Sequence, residues 1–397
     1  MPKLLQINAT ANWGSTGRIA EQIGLAAMDA GWDSYIAYGR DCNPSESHLI
    51  KVGSRFGIYM HVLKARFFDK AGLGSFVATK RLIRTIEKIK PDIIHLHNIH
   101  GYYINYKLLF QYLVKANVDV VWTFHDCWAF TGHCSHFVTA KCDRWITQCY
   151  DCPLMKQYPR SVLIDRSREN YLQKKALFSS INLTVISVSD WMKSLVEKSF
   201  LNKASLKVIH NGVDLNVFKP VSVPDRGAFR VLAVSNVWNE DKGLNDLIAL
   251  RNYLDDRFAI CVIGLTSEQI KQLPEGIEGM TRTSSVEELV EAYSSADVLV
   301  NPTYADTFPT VNLEALACGT PVITYQTGGS PEAVDENTGV VVPQGDVKAL
   351  ADAVMRMKDT PLSRNACRTR AEEHFDKDKC FRKYIELYEE LLNIHKM

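Results

Sequence analysis

Two acidic residues, Asp306 and Glu314, stand eight positions apart in the stretch NPTYADTFPTVNLEALACGTPVIT, residues 301–324. The apolar run just upstream ends at Asn-Pro and predicts a buried strand that stops in a loop. Pro309 suits the first turn of a helix, and Gly319 ends the helical stretch that follows. The spacing therefore predicts Asp306 in a loop and Glu314 more than one turn inside the next helix.

The start of that helix is a predicted anion site. The backbone N–H groups of Thr310 and Val311 have no partner within the helix, and such donors favour a bound phosphate. A simpler interpretation also holds for each carboxylate alone: Asp306 caps the helix and Glu314 lies on a solvated face.

A second candidate phosphate or acceptor site is the GSTG sequence near the start of the chain, formed by Gly14, Ser15, Thr16 and Gly17. The glycines allow close approach of the backbone, and the two hydroxyl groups can donate hydrogen bonds. An ordinary loop between a strand and a helix would use the same residues. The pattern is not the G-x-G-x-x-G of dinucleotide-binding folds.

Five of the ten cysteines fall within residues 127–152. Cys134, Cys142, Cys149 and Cys152 could provide the four thiolates of a structural zinc site, with nearby histidines as substitutes. Disulfides are disfavoured in a cytosolic protein. The alternative is a compact insertion that buries free thiols.

The remaining sequence predicts two α/β domains. At 397 residues the chain is long for one domain, and short β-rich runs alternate with helical segments in both halves. A polar, proline-containing stretch separates the halves. We expect two doubly wound Rossmann-like domains that face a central cleft, where ligands bind at the carboxyl ends of the strands. The predicted boundaries are 1–217 for the first domain, 218–228 for the linker, 229–375 for the second domain and 376–397 for a helical tail.

The net charge of +1 hides an asymmetry between the halves. Residues 1–211 hold 27 Lys and Arg against 16 Asp and Glu, whereas residues 212–397 hold 19 against 29. The basic excess is densest in residues 55–90, where it is interleaved with aromatic and aliphatic residues, as in interfacial membrane helices. An ordinary amphipathic helix with a basic face would look the same. No nucleic-acid-binding motif accompanies the charge, so no nucleic-acid partner is expected.

The chain lacks a secretory signal pattern and any run of 18 apolar residues. We therefore expect a cytoplasmic protein that is peripheral to the inner face of the cytoplasmic membrane, which it meets through the basic first domain.

Taken together, the motifs resemble those of retaining glycosyltransferases of family 4, which have the GT-B fold. The resemblance covers essentially the whole chain and rests on GSTGRI, PDIIHLHN, FHD, VIHNGVDLNVFKP, DKGLNDLI, the 301–324 block with the residues just before it, and TGGSPEAV. The chain looks closer still to the subgroup of transferases for bacterial surface polysaccharides, such as capsule, colanic acid and O-antigen. The resemblance implies transfer of a sugar from a UDP- or GDP-sugar to a lipid-linked or growing saccharide acceptor.

The resemblance also implies roles for the 301–324 block as the donor-binding site. Asp306 and Glu314 match the family's E-x7-E pair, with Asp in place of the first Glu. Glu314 would accept hydrogen bonds from ribose hydroxyls, and Asp306 would act on the donor sugar. Phe308, Thr310 and Val311 complete this donor-binding segment, with the phosphates over the helix start.

The leaving diphosphate requires positive charge, because negative charge develops on it in the transition state. Lys242 matches the family's Lys, but Asn236 stands where the family has an Arg. Arg282 or Arg18 is a candidate substitute. His125 matches the family's active-site His, which positions the donor sugar. The resemblance implies front-side attack with no dedicated base and no catalytic metal; the only cofactor considered is the structural zinc.

Two alternatives remain open at this stage. A sugar-nucleotide epimerase of the same architecture would act on the donor without an acceptor. A metal-stabilised, non-catalytic module that binds glycans or nucleotides would explain the cysteines, but not the combination of Lys242, Asp306 and Glu314.

Overall fold

The computed structural model of the chain describes residues 1–224 and 227–394, without the side chain of Ile394. The chain divides into two compact units. The first unit comprises Met1–Ile209 and Phe381–Met397, and the second comprises His210–Cys380. No helix in the described part of the chain is long and apolar enough to cross a membrane.

The first unit contains a seven-stranded sheet in which all neighbouring strands are parallel. Its strand order is 3-2-1-4-5-6-7, so the order reverses between the first and fourth strands. That point is the switch point, where loops at the carboxyl ends of the two strands diverge and leave room for a ligand. The strands are β1 (Lys3–Asn8), β2 (Asp33–Tyr38), β3 (His48–Lys51), β4 (Ile93–Leu96), β5 (Asp119–Phe124), β6 (Leu183–Ser187) and β7 (Ser205–Val208).

Helices cover both faces of this sheet because its strands are nearly continuous apolar runs that bury both sides. One core includes aromatic residues such as Phe110, Trp122 and Phe178, and the other packs Leu4 and Trp32 against residues of the last helix. The helices are α1 (Gly14–Asp29), α2 (Arg55–Phe68), α3 (Phe76–Ile89), α4 (Tyr106–Ala116), α5 (Ser167–Phe178), α6 (Asp190–Lys198) and the greater part of α13 (Lys377–Ile394).

The second unit repeats this plan with six parallel strands in the order 10-9-8-11-12-13. Its switch point lies between the eighth and eleventh strands. The strands are β8 (Phe229–Val234), β9 (Phe258–Ile263), β10 (Ile277–Met280), β11 (Val298–Asn301), β12 (Val322–Tyr325) and β13 (Gly339–Val342). The helices are α7 (Leu244–Arg251), α8 (Ser267–Lys271), α9 (Val286–Ser295), α10 (Thr310–Ala317), α11 (Val347–Asp359) and α12 (Arg364–His374).

The division into units differs from the predicted boundaries at both ends of the second domain. The first unit ends at Ile209 rather than at 217, and the predicted tail 376–397 is split, because α13 contributes Phe381 and the residues after it to the first unit. These residues fill a core against Leu4, which the sequence pattern of a charged amphipathic helix does not reveal. The predicted linker 218–228 contains Asp225 and Arg226, which lie outside the described residues.

Candidate functional site

The centre of the candidate site in the second unit is an ion pair at its switch point. Lys242 follows β8 and Asp306 follows β11, and these two strands are the neighbours at which the sheet order reverses. The Lys242 Nζ atom lies 2.6 Å from Asp306 Oδ2. The two side chains are 31% and 22% exposed, so the pair is open to a ligand rather than sealed in a core.

The backbone holds the two loops of this pair together. Tyr304 N donates to Asp241 O at 2.7 Å, and Thr303 Oγ1 donates to the same oxygen at 3.2 Å. Gly243 follows Lys242 with φ +75°, and a Cβ there would lie 2.1 Å from Pro302 O. Any other residue at 243 would therefore force the Lys242 loop away from the loop that carries Asp306.

Helix α10 starts four residues after Asp306, as the sequence predicts, and ends at Ala317. Its N-cap is Pro309, whose side chain makes no capping hydrogen bond. The first-turn N–H groups of Thr310 and Val311 are thus placed to bind an anion. A buried hydrogen bond from Asn301 Nδ2 to Asn312 Oδ1, 2.8 Å long, ties the helix to the end of β11.

Glu314 is half-buried on α10 and accepts a hydrogen bond of 2.8 Å from the hydroxyl of Tyr293. Tyr293 is fully buried, and its burial together with the Glu314 carboxylate raises its pKa well above the ordinary value. The hydroxyl therefore stays a donor and fixes one carboxylate oxygen of Glu314. This contact rules out the interpretation of Glu314 as a purely solvated residue.

The side chain of Phe308, a residue of the predicted donor-binding segment, packs inward. The ring is only 2% exposed and stacks on His210, with ring centroids 4.7 Å apart and an interplanar angle of 13°. Its backbone N–H donates to Asp306 Oδ1 at 3.3 Å. Phe308 therefore anchors the loop and orients Asp306.

Arg282 lies apart from the switch point, because it follows β10 at the edge of the sheet. Three strand steps separate β10 from β11, or about 14 Å at about 4.8 Å per step. Its side chain is exposed, as is Asn236 in the loop that leads to Lys242. The structure thus does not bring Arg282 next to Lys242 and Asp306.

The GSTG residues form the first turn of α1 rather than a loop, and the loop itself is Ala9–Trp13. Gly14 has φ +66° and no atom within 4 Å of a Cβ, so only its backbone conformation requires glycine. At Gly17 a Cβ would lie 2.6 Å from Thr10 Oγ1, so glycine is needed for close packing. Ser15 is exposed at this helix start.

The loop before α1 is held by a buried asparagine at the end of β1. Asn8 Nδ2 donates to Thr10 O at 2.9 Å and lies 3.4 Å from Thr16 Oγ1. Asn8 Oδ1 accepts from the N–H of Asn98, which follows β4, at 3.2 Å. Asn8 therefore links the two loops at the switch point of the first unit, a role that no motif in the sequence indicates.

His125 follows β5 and is part of a buried chain of polar groups. Its Nε2 lies 3.1 Å from His97 Nδ1, and His97 Nε2 lies 3.0 Å from Gln6 Oε1. Burial, partly offset by the Asp126 carboxylate, lowers the pKa of His125 to about 4. Burial also lowers the pKa of His97 well below its ordinary value. Both rings are therefore neutral at neutral pH.

The four candidate zinc cysteines lie in one region of the first unit, but their sulfur atoms do not converge. No three of them lie within 4.8 Å of one another. The Cys134 thiol donates a hydrogen bond to Cys152, and this lowers the pKa of Cys152 to about 7. Cys149 is buried, which raises its pKa to about 12, and its sulfur accepts from Gly132 N at 3.2 Å.

A histidine beside these cysteines has the form of a metal ligand. His133 Nδ1 lies 2.6 Å from Asp69 Oδ1, and both side chains are buried. His133 Nε2 is buried and has no hydrogen-bond partner among the described residues. Ligating histidines typically donate their other ring nitrogen to a carboxylate in this way.

The basic segment of residues 55–90 forms α2 and α3, with exposed aromatic residues on both. Phe56 is 73% exposed and Phe76 is 51% exposed. A groove of about 540 Å³ between the helices is lined by these two residues together with Lys64 and Arg81. Apolar rings beside cations form a surface of the kind that binds anionic membranes.

The comparisons with known proteins agree with these two units. Residues 16–217 match the model of Glycosyltransferase Family 4, and residues 228–359 match that of Glycosyl transferases group 1. The chain therefore belongs to glycosyltransferase family 4 and is a glycosyltransferase. It is 25% identical to the Escherichia coli K12 protein described as "Putative colanic acid biosynthesis glycosyl transferase WcaC", over 98% of this chain and all of that protein.

Solved structures show the same fold at lower identity. Sucrose-phosphate synthase from Thermosynechococcus elongatus matches with a TM-score of 0.73 at 19% identity, over 99% of this chain and all of that one. Anabaena Alr3699/HepE, in complex with UDP and glucose, matches with a TM-score of 0.66 at 16% identity, over 98% and 99% of the two chains. The two parallel-sheet units are those of the GT-B fold.

Proposed function

We propose that the protein is a retaining glycosyltransferase of bacterial polysaccharide biosynthesis. It transfers a hexose from a UDP- or GDP-sugar to a lipid-linked or growing saccharide. The observation that carries this proposal is the partly exposed Lys242–Asp306 pair at the switch point of the second unit, just before the uncapped start of α10. The UDP and glucose in the Anabaena structure support a nucleotide-sugar donor.

The donor would lie along α10 and the loops before it. Glu314, fixed by Tyr293, accepts hydrogen bonds from the ribose hydroxyls, and Asp306 accepts from hydroxyls of the sugar. The diphosphate binds the first-turn N–H groups of Thr310 and Val311. Such charge-assisted hydrogen bonds contribute about 1.5–3 kcal/mol each.

The chemical step is a front-side displacement at the anomeric carbon. The bond from this carbon to the diphosphate oxygen breaks, and a bond to the acceptor oxygen forms on the same face. The acceptor's proton goes to the leaving phosphate oxygen, so no side chain needs to act as a base. Lys242 and the α10 start stabilise the charge on the leaving group, which makes a catalytic metal unnecessary.

Arg18 and Arg282 are the two candidates for a second cation at the leaving group. Arg18 is exposed near the start of α1, next to Gly17, whereas Arg282 follows the edge strand β10. We expect Arg18→Ala to lower turnover severely and Arg282→Ala to leave it within about threefold. The opposite result would return the role to Arg282.

The first unit would serve the acceptor and the donor sugar. The phosphates or the acceptor would lie near the start of α1, at Gly14, Ser15, Thr16 and Gly17, and His125 would position the sugar.

The basic surface of α2 and α3 would hold the protein at the inner face of the cytoplasmic membrane. Flotation with vesicles of anionic lipid, but not with purely zwitterionic vesicles, is the expected result, and Phe56→Ser should weaken it.

A structural zinc ion would be held by Cys134, Cys142, Cys149 and Cys152 once their sulfur atoms move together. His133 supports this, because its contact with Asp69 fits a ligand that replaces one cysteine, and its Nε2 has no hydrogen-bond partner in the part of the chain that the structure describes. Metal analysis of the purified protein is the test. One zinc per chain that is lost in Cys149→Ser supports the site, and no bound metal rejects it.

The function itself is tested by thermal shift with UDP, GDP, ADP, CMP and their sugar conjugates. A ligand at 100 times its dissociation constant should stabilise the protein by about 2.7 kcal/mol. We expect one nucleoside diphosphate series to shift the wild type and not Glu314→Ala. Conversion of the donor without an acceptor would indicate the epimerase, and binding without turnover on any acceptor would indicate the binding module. No shift with any nucleotide would reject the proposal.

A further inference from the structure

One carboxylate oxygen in the second unit accepts hydrogen bonds from two tyrosine hydroxyl groups. The Tyr304 hydroxyl donates to Asp246 Oδ2 at 2.8 Å, and the Tyr325 hydroxyl donates to the same oxygen at 2.6 Å. Burial and the hydrogen bond to Asp246 raise the pKa of Tyr304 to about 12, and the same causes raise the pKa of Tyr325 above its ordinary value. Both hydroxyl groups are therefore protonated at neutral pH, and the carboxylate, which can only accept, holds them together.

Asp246 lies at the start of α7, four positions after Lys242, and its N–H donates to Gly243 O at 3.1 Å. Tyr325 is the last residue of β12 and is fully buried, so its hydroxyl is fixed relative to the sheet. The contact with Tyr325 therefore fixes the Asp246 carboxylate, and it ties the start of α7 to the sheet just after the loop that carries Lys242.

Tyr304 connects the loop that carries Asp306 to several other parts of the second unit. Its N–H donates to Asp241 O at 2.7 Å. Its carbonyl oxygen accepts from Thr327 Oγ1 at 3.0 Å and from Gln344 Nε2 at 2.9 Å, and these two residues follow β12 and β13. Its hydroxyl is the contact that joins this loop, two residues before Asp306, to α7.

We infer that Asp246 and Tyr304 are positioning residues, which hold Lys242 and Asp306 at the distance and orientation that the transfer reaction requires. The attachment at Asp241 O is a single point, about which the Asp306 loop could turn relative to α7. The hydrogen bond between Tyr304 and Asp246 is a second point, and it prevents this rotation. The inference rests on the proposed function for the role of Lys242 at the leaving group. An error of about 1 Å in the position of a reacting group can lower the rate about 100-fold.

The environment of Lys242 is measured without any turnover, by NMR of the full chain after methylation of its lysines with ¹³C-formaldehyde, which keeps their charge. Lys242→Met assigns the Lys242 signal, and Asp306→Asn shows where this signal lies when the ion pair is absent. We expect Tyr304→Phe to move the Lys242 signal towards its position in Asp306→Asn. An unchanged signal in Tyr304→Phe, or no difference between the wild type and Asp306→Asn, would overturn the inference, whatever the outcome for the proposed function.

Steady-state kinetics separate positioning from binding of the donor. Tyr304→Phe should lower kcat about tenfold and leave the donor KM within about twofold, because Glu314 and the start of α10 are unchanged. Asp246→Leu removes the acceptor and should act in the same way, whereas Asp246→Asn keeps an oxygen that accepts from both hydroxyl groups and should retain kcat within about threefold. A higher donor KM at unchanged kcat in Tyr304→Phe would overturn the inference. If the wild type transfers no sugar, the proposed function fails, and the NMR result alone decides whether Tyr304 positions Lys242.

A matched control is a tyrosine contact in the first unit. The Tyr106 hydroxyl donates to Gln173 Oε1 at 2.9 Å, so Tyr106→Phe removes a hydrogen bond of similar length. We expect both tyrosine variants to lose melting temperature to a similar extent, but Tyr106→Phe to keep the wild-type kcat and Lys242 signal. In a Lys242→Met background, Tyr304→Phe should lower kcat by less than about twofold, because the group that it positions is absent. A further loss of about tenfold in that background, or equal losses of kcat in Tyr304→Phe and Tyr106→Phe, would overturn the inference.

Discussion

If the proposed mechanism is right, breaking the Lys242–Asp306 pair should affect catalysis far more than stability. Lys242→Met keeps most of the apolar stem of the side chain and removes the charge. Asp306→Asn keeps the shape of the side chain and removes its charge. Each change removes the ion pair, whose Nζ and Oδ2 atoms lie 2.6 Å apart.

The structure limits the contribution of this pair to folding. With 31% and 22% of the side chains exposed, solvent screens the pair, and partly exposed pairs contribute at most about 1 kcal/mol. For a domain of this size the melting temperature would fall by about 2–4 °C. A cation that acts on the leaving group in the transition state contributes about 2.7–4 kcal/mol, so kcat should fall about 10²–10³-fold.

The second unit also contains a matched control pair. Lys377 Nζ lies 2.6 Å from Asp214 Oδ2, and these side chains are 21% and 29% exposed, much like the first pair. Lys377→Met should therefore cause a similar change in melting temperature with kcat near the wild-type value. The assay is steady-state turnover of the donor found by thermal shift, with melting curves of all variants. If Lys242→Met retains kcat within about threefold of Lys377→Met, the assigned role of Lys242 is refuted.

Three further changes should have separable effects. Gly17→Ala places a methyl group 2.6 Å from Thr10 Oγ1. This overpacking should lower the free energy of unfolding by about 1–3 kcal/mol and raise the donor KM. An unchanged midpoint of urea unfolding would contradict the expectation. Tyr293→Phe removes the hydrogen bond to Glu314 and should raise the donor KM about tenfold with kcat little changed, as initial-rate measurements would show. Burial lowers the pKa of His61 to about 4, below its unfolded value of about 6.5, so the unfolded state binds a proton at a higher pH than the folded state. The free energy of unfolding should therefore fall by about 3 kcal/mol as the pH drops from 6.5 to 4. Urea titrations of His61→Gln should show a weaker dependence on pH.

The repeated strand–helix alternation was enough to predict the fold, because each strand is a short apolar run followed by an amphipathic segment. The order of the strands within the sheet was not predictable in the same way. A crossover helix can place the next strand on either side of the previous strand. The side that is used decides whether the loop after a given strand lies at the switch point of the sheet. Lys242 and Arg282 both follow strands of the second unit, yet only Lys242 reaches Asp306.

The candidate site was predictable where the residue type and spacing define the chemistry. Asp306 and Glu314 lie on either side of the α10 start as their spacing indicates. The ring of Phe308 packs inward, and the sequence could not show this, because it does not tell whether an aromatic ring in a loop packs inward or faces a ligand. Gln6 had no visible signal, and His97 lies in the PDIIHLHN motif without a partner that the sequence could show. Their contact joins neighbouring strands, so it depends on a strand order that the sequence does not reveal.

Helix α13 has a consequence for how the chain acquires its structure. Phe381, Tyr384 and Tyr388 fill the core around Leu4 and Trp32, and the Tyr388 hydroxyl lies 2.6 Å from His95 Nδ1, 293 residues away in sequence. During synthesis these residues emerge only after the whole of the second unit. The first unit is translated before the second, but its fold is completed only after the second unit has been synthesised. Until then it exposes the apolar face that α13 covers in the finished protein.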